Sequence, residues 1–268
     1  MEIIFLGTGH GTATECYNTC FAIKNKDEYF LVDSGGGNGI LKQLKDANIN
    51  LENIRYIFIS HAHMDHILGC LWIIRVLSKK YYKGTYDKPT FIYGNDTVIN
   101  AIKEMCKILI PKDFLNLIGD KIKLIEVKDE EEKNILGNRL KFFDINAKKV
   151  KQFGFYMTID NQKIFTFIGD EACSKETQKY IKDSYWLFAD AYMAGEEAKK
   201  YNPIEKHSHS SVQYISQLAE KLNVKNLILS HTIDTNLKQR KEIFTKDAKK
   251  YYNGNVYVPD DLEKLKLL

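Results

Sequence analysis

Residues 60–66 read Ser-His-Ala-His-Met-Asp-His, with three histidines and one aspartate directly after the apolar run 54–59. On an irregular loop, His61 and His63 can converge on one ion, and Asp65 and His66 add a carboxylate and a third imidazole. Imidazole and carboxylate together suit zinc, with manganese or iron as alternatives, better than calcium, which takes oxygen ligands. The bland alternative is a polar loop whose histidines cap the following helix. Four ligand residues at this spacing favour the metal.

Elements must hold these residues in place, and the pattern along the chain is one of alternation. Strand-like runs occur at 3–6, 19–23, 29–32, 54–59, 91–93, 122–127, 139–145, 153–159, 163–168, 186–189 and 226–229. Helical periodicity occupies 39–46, 66–77, 97–109, 171–181, 212–222 and 236–251, the fifth with serines at its expected N-cap. Prolines are few and no Ser/Gly linker interrupts the pattern, so a single domain over 1–268 is expected, with 95–134 as a helical, charged stretch that could cover a cleft. The charge run Lys128–Lys133 reads as a solvated turn.

Composition sets the class. A 44% hydrophobic and 28% charged chain is an ordinary folded protein, which argues against disorder. A net charge of +4, carried almost wholly by lysine, is only a weak signal for polyanions. Cysteines 16, 20, 70, 106 and 173 are odd in number and form no CxxC pair, which disfavours disulfide frameworks and cysteine zinc knuckles. With no leader-like start and no apolar run near the roughly 20 residues of a membrane span, the expected place is the cytoplasm, without a membrane partner.

His61-Ala62-His63-Met64-Asp65-His66 resembles the HxHxDH signature of the metallo-β-lactamase-fold hydrolases. "EIIFLGTGHGTATE" and "LVDSGGG" are similar to the opening strands of that superfamily, "FIGD" (Phe167–Asp170) to the strand delivering its bridging aspartate, and "LILSH" (Leu227–His231) to the strand ending in its last histidine. The resemblance implies an α+β fold, a four-layer αββα sandwich of two mixed sheets with helices outside. Within the superfamily the chain looks most like ribonuclease Z and related phosphodiesterases. "ADAY" (Ala189–Tyr192) stands where that group has His-Glu-Ala-Thr, and "HSS" (His209–Ser211) stands where it has His-Ser-Thr. No Gly/Pro-rich tRNA-gripping arm is present.

From this resemblance follow the expected roles. One ion position would use Asp65, His66, Asp170 and His231, and the other His61, His63, Asp170 and a further histidine. That histidine is missing, since none lies between His66 and His207, and alignment on Gly154 puts Lys148 in its place. One tightly held ion is therefore expected, with a weaker second position and Lys148 as replacement for the lost ligand; the alternatives are that Asp144 or Asn146 reaches in, or that Lys148 is a strand lysine facing solvent. Asp65 would also orient the attacking water, and His209, held by Asp190, would protonate the leaving oxygen. His10, in the first Gly-rich loop, reads as an ordinary loop histidine.

The expected activity is hydrolysis of a phosphodiester by metal-activated water. RNA is one candidate substrate, and a second copy of the chain is a candidate partner. Hydrolysis of another ester, such as a lactone or thioester, is the alternative on the same scaffold, and a metal-poor binding relative is a third. The Gly-rich loops "GTGHGT" and "DSGGGNG" fit no nucleotide-binding pattern and read as tight turns beside the metal cleft.

Overall fold

The computed structural model of the protein describes residues 1–160, 163–172, 174–195, 198 and 209–268. Apolar strands pair into two sheets of seven strands each. The first contains β1 (Glu2–Gly7), β2 (Cys20–Asn25), β3 (Glu28–Val32), β4 (Ile54–Phe58), β5 (Thr90–Gly94) and β6 (Ile122–Glu126), with β14 (Lys264–Lys266) on the outer side of β1. The second runs from β7 (Glu132–Ile135) through β8 (Asn138–Asp144), β9 (Phe153–Asp160), β10 (Lys163–Phe167), β11 (Trp186–Asp190) and β12 (Asn226–Ser230) to β13 (Asn255–Tyr257). Each sheet is mixed: β1–β3 and β7–β10 pair antiparallel, whereas β3–β6 and β10–β13 pair parallel.

The parallel strands read as continuous apolar runs because both of their faces are covered. Alternate residues of β3 divide between layers: Phe30 and Val32 face the second sheet, while Tyr29 and Leu31 face the helices. Phe5, Phe21, Phe58, Phe142, Phe155, Phe165 and Phe188 join Phe30 in a phenylalanine-rich layer between the sheets. Outside the first sheet lie α1 (Gly39–Asp46), α2 (Met64–Tyr82) and α3 (Asp96–Leu109). Outside the second lie α4 (Gln178–Ile181), α5 (Val212–Lys221) and α6 (Leu237–Ala248). The result is the expected αββα sandwich.

Every strand expected from the sequence is present, and β7, β13 and β14 are additional. The Lys128–Lys133 run is not all turn, since β7 begins at Glu132. Within residues 95–134, α3 buries Val98, Ile102 and Cys106 against the first sheet, and β6 pairs with β5 at its edge. Of the helix expected over 171–181, Cys173 lies outside the described residues and only 178–181 is helical. No helix among the described residues is long and apolar enough to cross a membrane.

Candidate metal centre

The ligand-type side chains sit where parallel strands end. His61 and His63 follow β4, Asp33 follows β3, Asp170 follows β10, Asp190 closes β11 and His231 follows β12. Carboxyl ends of parallel strands in one sheet point the same way, so loops after them gather at one edge. His63 occupies the N-cap of α2 in extended conformation, which puts Asp65 and His66 in its first turn. The positive end of the helix dipole favours the Asp65 carboxylate there. Gly69 lets the helix approach, because a Cβ at that position would fall 1.9 Å from the Ser34 carbonyl oxygen.

Five side-chain atoms converge on one buried spot. His66 Nε2 lies 3.2 Å from Asp65 Oδ2 and 3.5 Å from Asp170 Oδ2. His231 Nε2 lies 3.4 Å and 3.6 Å from the same two oxygens. His61 Nε2 is 3.5 Å from Asp170 Oδ2. Ligands at bonds of about 2.1 Å around a tetrahedral ion are themselves about 3.4 Å apart. The four histidine-to-aspartate distances are close to that spacing, and three sets have ligand atoms all within 4.8 Å of one another: Asp65, His66 and His231; His61, His66 and Asp170; and Asp170, His209 and His231.

Two further observations fit a cation. His66 Nε2 and Asp170 Oδ1 are buried without an aligned hydrogen-bond partner among the described residues, a costly arrangement unless something else satisfies them. The opposite edges of His66 and His61 are also committed. Asp33 Oδ2 accepts from His66 Nδ1 at 2.9 Å, and Ser60 Oγ, itself donating to Asp33, accepts from His61 Nδ1 at 2.9 Å. Those bonds fix the tautomers that turn the Nε2 lone pairs inward. His63 lies apart from the four-atom cluster, with Nδ1 2.9 Å from His61 Nε2.

Charges in the cluster support one another. Burial pushes the Asp65 carboxyl up, but hydrogen bonds from His231 and His66 hold it well below the usual carboxylate range. Burial opposes charge on His231, yet Asp190 and Asp65 raise its imidazole to about 9. Burial also opposes charge on His66, and Asp33 with Asp170 overcomes it, keeping that ring well above the ordinary histidine value. His61, by contrast, is held low chiefly by burial.

His209 lies over this centre. Its ring stacks between His231, at 4.7 Å, and Tyr192, at 5.1 Å. Its Nδ1 donates to the Asp170 carbonyl at 2.7 Å and lies 3.7 Å from Asp190 Oδ2. The hold on His209 is therefore shared, with the Asp170 backbone nearer than the Asp190 carboxylate expected from the sequence. Burial lowers its affinity for a proton and Asp190 raises it more, so the net shift is upward. His207 lies outside the described residues.

Lys148 is exposed, and its backbone N–H donates to Glu171 Oε2 at 3.2 Å. Lys149 adds a small lowering of the His63 imidazole, after burial and the neighbouring Asp170 and His66. Residues 145–152 form no strand, so counting back from Gly154 did not preserve a face. Asp33 and Ser60 were not singled out in the sequence. Asp33 sits at φ 55°, as His231 sits at φ 56°, left-handed conformations that are uncommon for these residues and gather at functional sites.

Comparisons with known proteins agree with this architecture. A ribonuclease Z of Ligilactobacillus salivarius is 25% identical, over 97% of this chain and 95% of its own. The metallo-β-lactamase-fold protein YhfI from Bacillus subtilis superposes with a TM-score of 0.79 at 16% identity, covering 98% of each chain. The short form of human tRNase Z superposes with a TM-score of 0.72 at 18% identity, covering 100% of each. The fold is thus that of the metallo-β-lactamase superfamily. Residues 1–252, from the first strand through α6, match the family described as Anti-Pycsar protein Apyc1, so the chain belongs to that family.

Proposed function

We propose that the protein is a metal-dependent phosphodiesterase. The observation that supports this reading is the convergence of His66 Nε2 and His231 Nε2 on Asp65 Oδ2 and Asp170 Oδ2, all at 3.2–3.6 Å, which we read as the ligand set of one ion. A divalent cation held by them, with zinc as first choice and manganese or iron as alternatives, supplies a Lewis acid and lowers the pKa of water from 15.7 to roughly 7. His61 and His63 offer a second, weaker position.

The chain's own residues do the rest. The Asp65 carboxylate stays ionised and can orient the attacking water. His209, raised in proton affinity and anchored through Nδ1 to the Asp170 carbonyl, presents Nε2 to the leaving oxygen as general acid. Its stacking between His231 and Tyr192 fixes the ring plane. The relatives named ribonuclease Z support a phosphodiester, with RNA as one substrate to try.

The test strips metal with a chelator, reloads zinc, manganese or ferrous iron, and assays bis(p-nitrophenyl) phosphate and a short RNA beside a lactone and a thioester. Phosphodiester cleavage should return with metal, and be absent together with bound metal in His66→Ala and Asp170→Ala. A fully loaded protein that hydrolyses only the lactone or thioester would overturn the reading.

A further inference from the structure

The ligand set is drawn from two parts of the fold, and a Gly-rich loop is fastened to each. Asp65 and His66 lie in the first turn of α2, outside the first sheet, whereas His231 follows β12 of the second. The loop at Gly35–Gly37 is tied to the helix: Gly69 N–H donates to the Gly35 carbonyl at 2.9 Å, and Ser34 N–H and Oγ donate to the His66 carbonyl at 3.0 and 2.6 Å. The loop at Gly9–Gly11 is tied to the other part. His10 N–H donates to the carbonyl of Thr232, the residue after His231, at 3.2 Å, and Thr232 N–H donates to the Thr8 carbonyl at 3.1 Å.

One side chain joins the two loops. Asn18 Nδ2 donates to the His10 carbonyl at 2.8 Å and to the Gly11 carbonyl at 3.3 Å, and Asn18 Oδ1 accepts the N–H of Gly36 at 3.1 Å. Acceptors on one side and a donor on the other decide which end of the amide faces which loop. The base of this arm is fixed, because Gly9 N–H donates to the Tyr17 carbonyl and Thr19 N–H to the Gly9 carbonyl, both at 2.9 Å. An aspartate at 18 would lack the donor, and a leucine would lack both groups.

Asp65 lies between the joined loops. A Cβ on Gly11 would fall 3.1 Å from Asp65 Oδ2 and 3.4 Å from its Oδ1, and a Cβ on Gly36 would fall 3.6 Å from its Cα. The first loop therefore covers the carboxylate, and the second lies against the backbone that bears it. We propose that Asn18 is a positioning residue for the metal centre: by clasping the two loops it holds Asp65 Oδ2 between His66 Nε2 and His231 Nε2. It touches neither ion nor substrate. The inference rests on the ligand set behind the phosphodiesterase reading and on no particular substrate.

The test is a double-substitution cycle read in zinc affinity, by competition with a fluorescent chelator, with Tm of the metal-free proteins measured alongside. Asn18→Ala opens the clasp and should weaken zinc binding about tenfold, the low end of the range for residues that support a ligand from behind. Gly11→Ala presses a methyl group on the clasped carboxylate and should also weaken it. In the double variant the freed loop can retreat from Asp65, so Gly11→Ala should add less than about threefold there. Gly36→Ala, whose Cβ would lie 2.7 Å from Asn18 Oδ1, opens the clasp with the amide still in place and should reproduce the affinity of Asn18→Ala. A role in folding alone would lower Tm and leave the zinc affinity of the folded variants unchanged. That result, or independent effects of the two substitutions in the double variant, would overturn the proposal. Zinc binding without phosphodiester cleavage would overturn the functional reading and leave the clasp standing. A wild-type protein that binds no zinc would bring down both.

Discussion

Asp190 Oδ1 lies 3.3 Å from Nδ1 of His231, on the side of the imidazole that faces away from the metal cluster. The register of β11 and β12 produces this: Asp190 pairs with Ser230, so the carboxylate at the end of one strand meets the residue just past the end of the next. Asp190 Oδ2 accepts the backbone N–H of Ser210, which ties the loop carrying His209 to the same carboxylate. One buried aspartate therefore lies beside the His231 imidazole and holds the loop of the proposed acid.

Asp190→Asn keeps the shape but removes the charge beside His231 Nδ1. Metal affinity should fall about tenfold to a hundredfold, as for other partners behind a ligand histidine. Competition with a fluorescent chelator measures it, and unchanged affinity would remove Asp190 from the support of the centre.

His209→Ala should separate binding from chemistry. The ring is stacked on His231 but lies outside the four-atom set, so metal should stay bound while kcat falls by about 100-fold to 10,000-fold, the range for a lost general acid. Single-turnover cleavage with parallel metal analysis checks both halves. An unchanged kcat would exclude His209 from proton transfer.

The metal-free protein should lose stability as pH rises. In the folded state the His231 imidazole keeps its proton to about pH 9, against 6.5 for an ordinary histidine. A raised value stabilises fully below the unfolded pKa, and that contribution is lost as pH climbs through the folded one. The Tm of chelator-treated protein should therefore drop between pH 6.5 and about 9. Saturating metal should remove the drop, since the ion takes the proton's place at Nε2. A flat or rising Tm in the metal-free protein contradicts the raised imidazole.

Much of this was legible in the residues. The HxHxDH run is dense enough to point to metal, and strands such as 54–58 and 226–230 read clearly because both faces are buried. Three strands were not legible. β7 and β14 are short edge strands with one apolar residue each, Ile135 and Leu265, beside lysine and glutamate, too few to mark a strand by alternation. Asp33 and Ser60 escaped notice because a short polar residue near a Gly-rich turn looks like any turn residue. Only the fold brings Asp33 to 2.9 Å from His66. His10 reads as an ordinary loop histidine, and only the fold brings its ring to Tyr192, 182 positions away in the chain.

The central claim is that one divalent ion is held by Asp65, His66, Asp170 and His231. Anomalous diffraction at the zinc absorption edge, from crystals of protein reloaded with zinc, tests it most directly. The account predicts a strong peak within about 2.2 Å of Asp65 Oδ2, His66 Nε2, Asp170 Oδ2 and His231 Nε2. A fully occupied peak held by other residues, with none among these four, would contradict it.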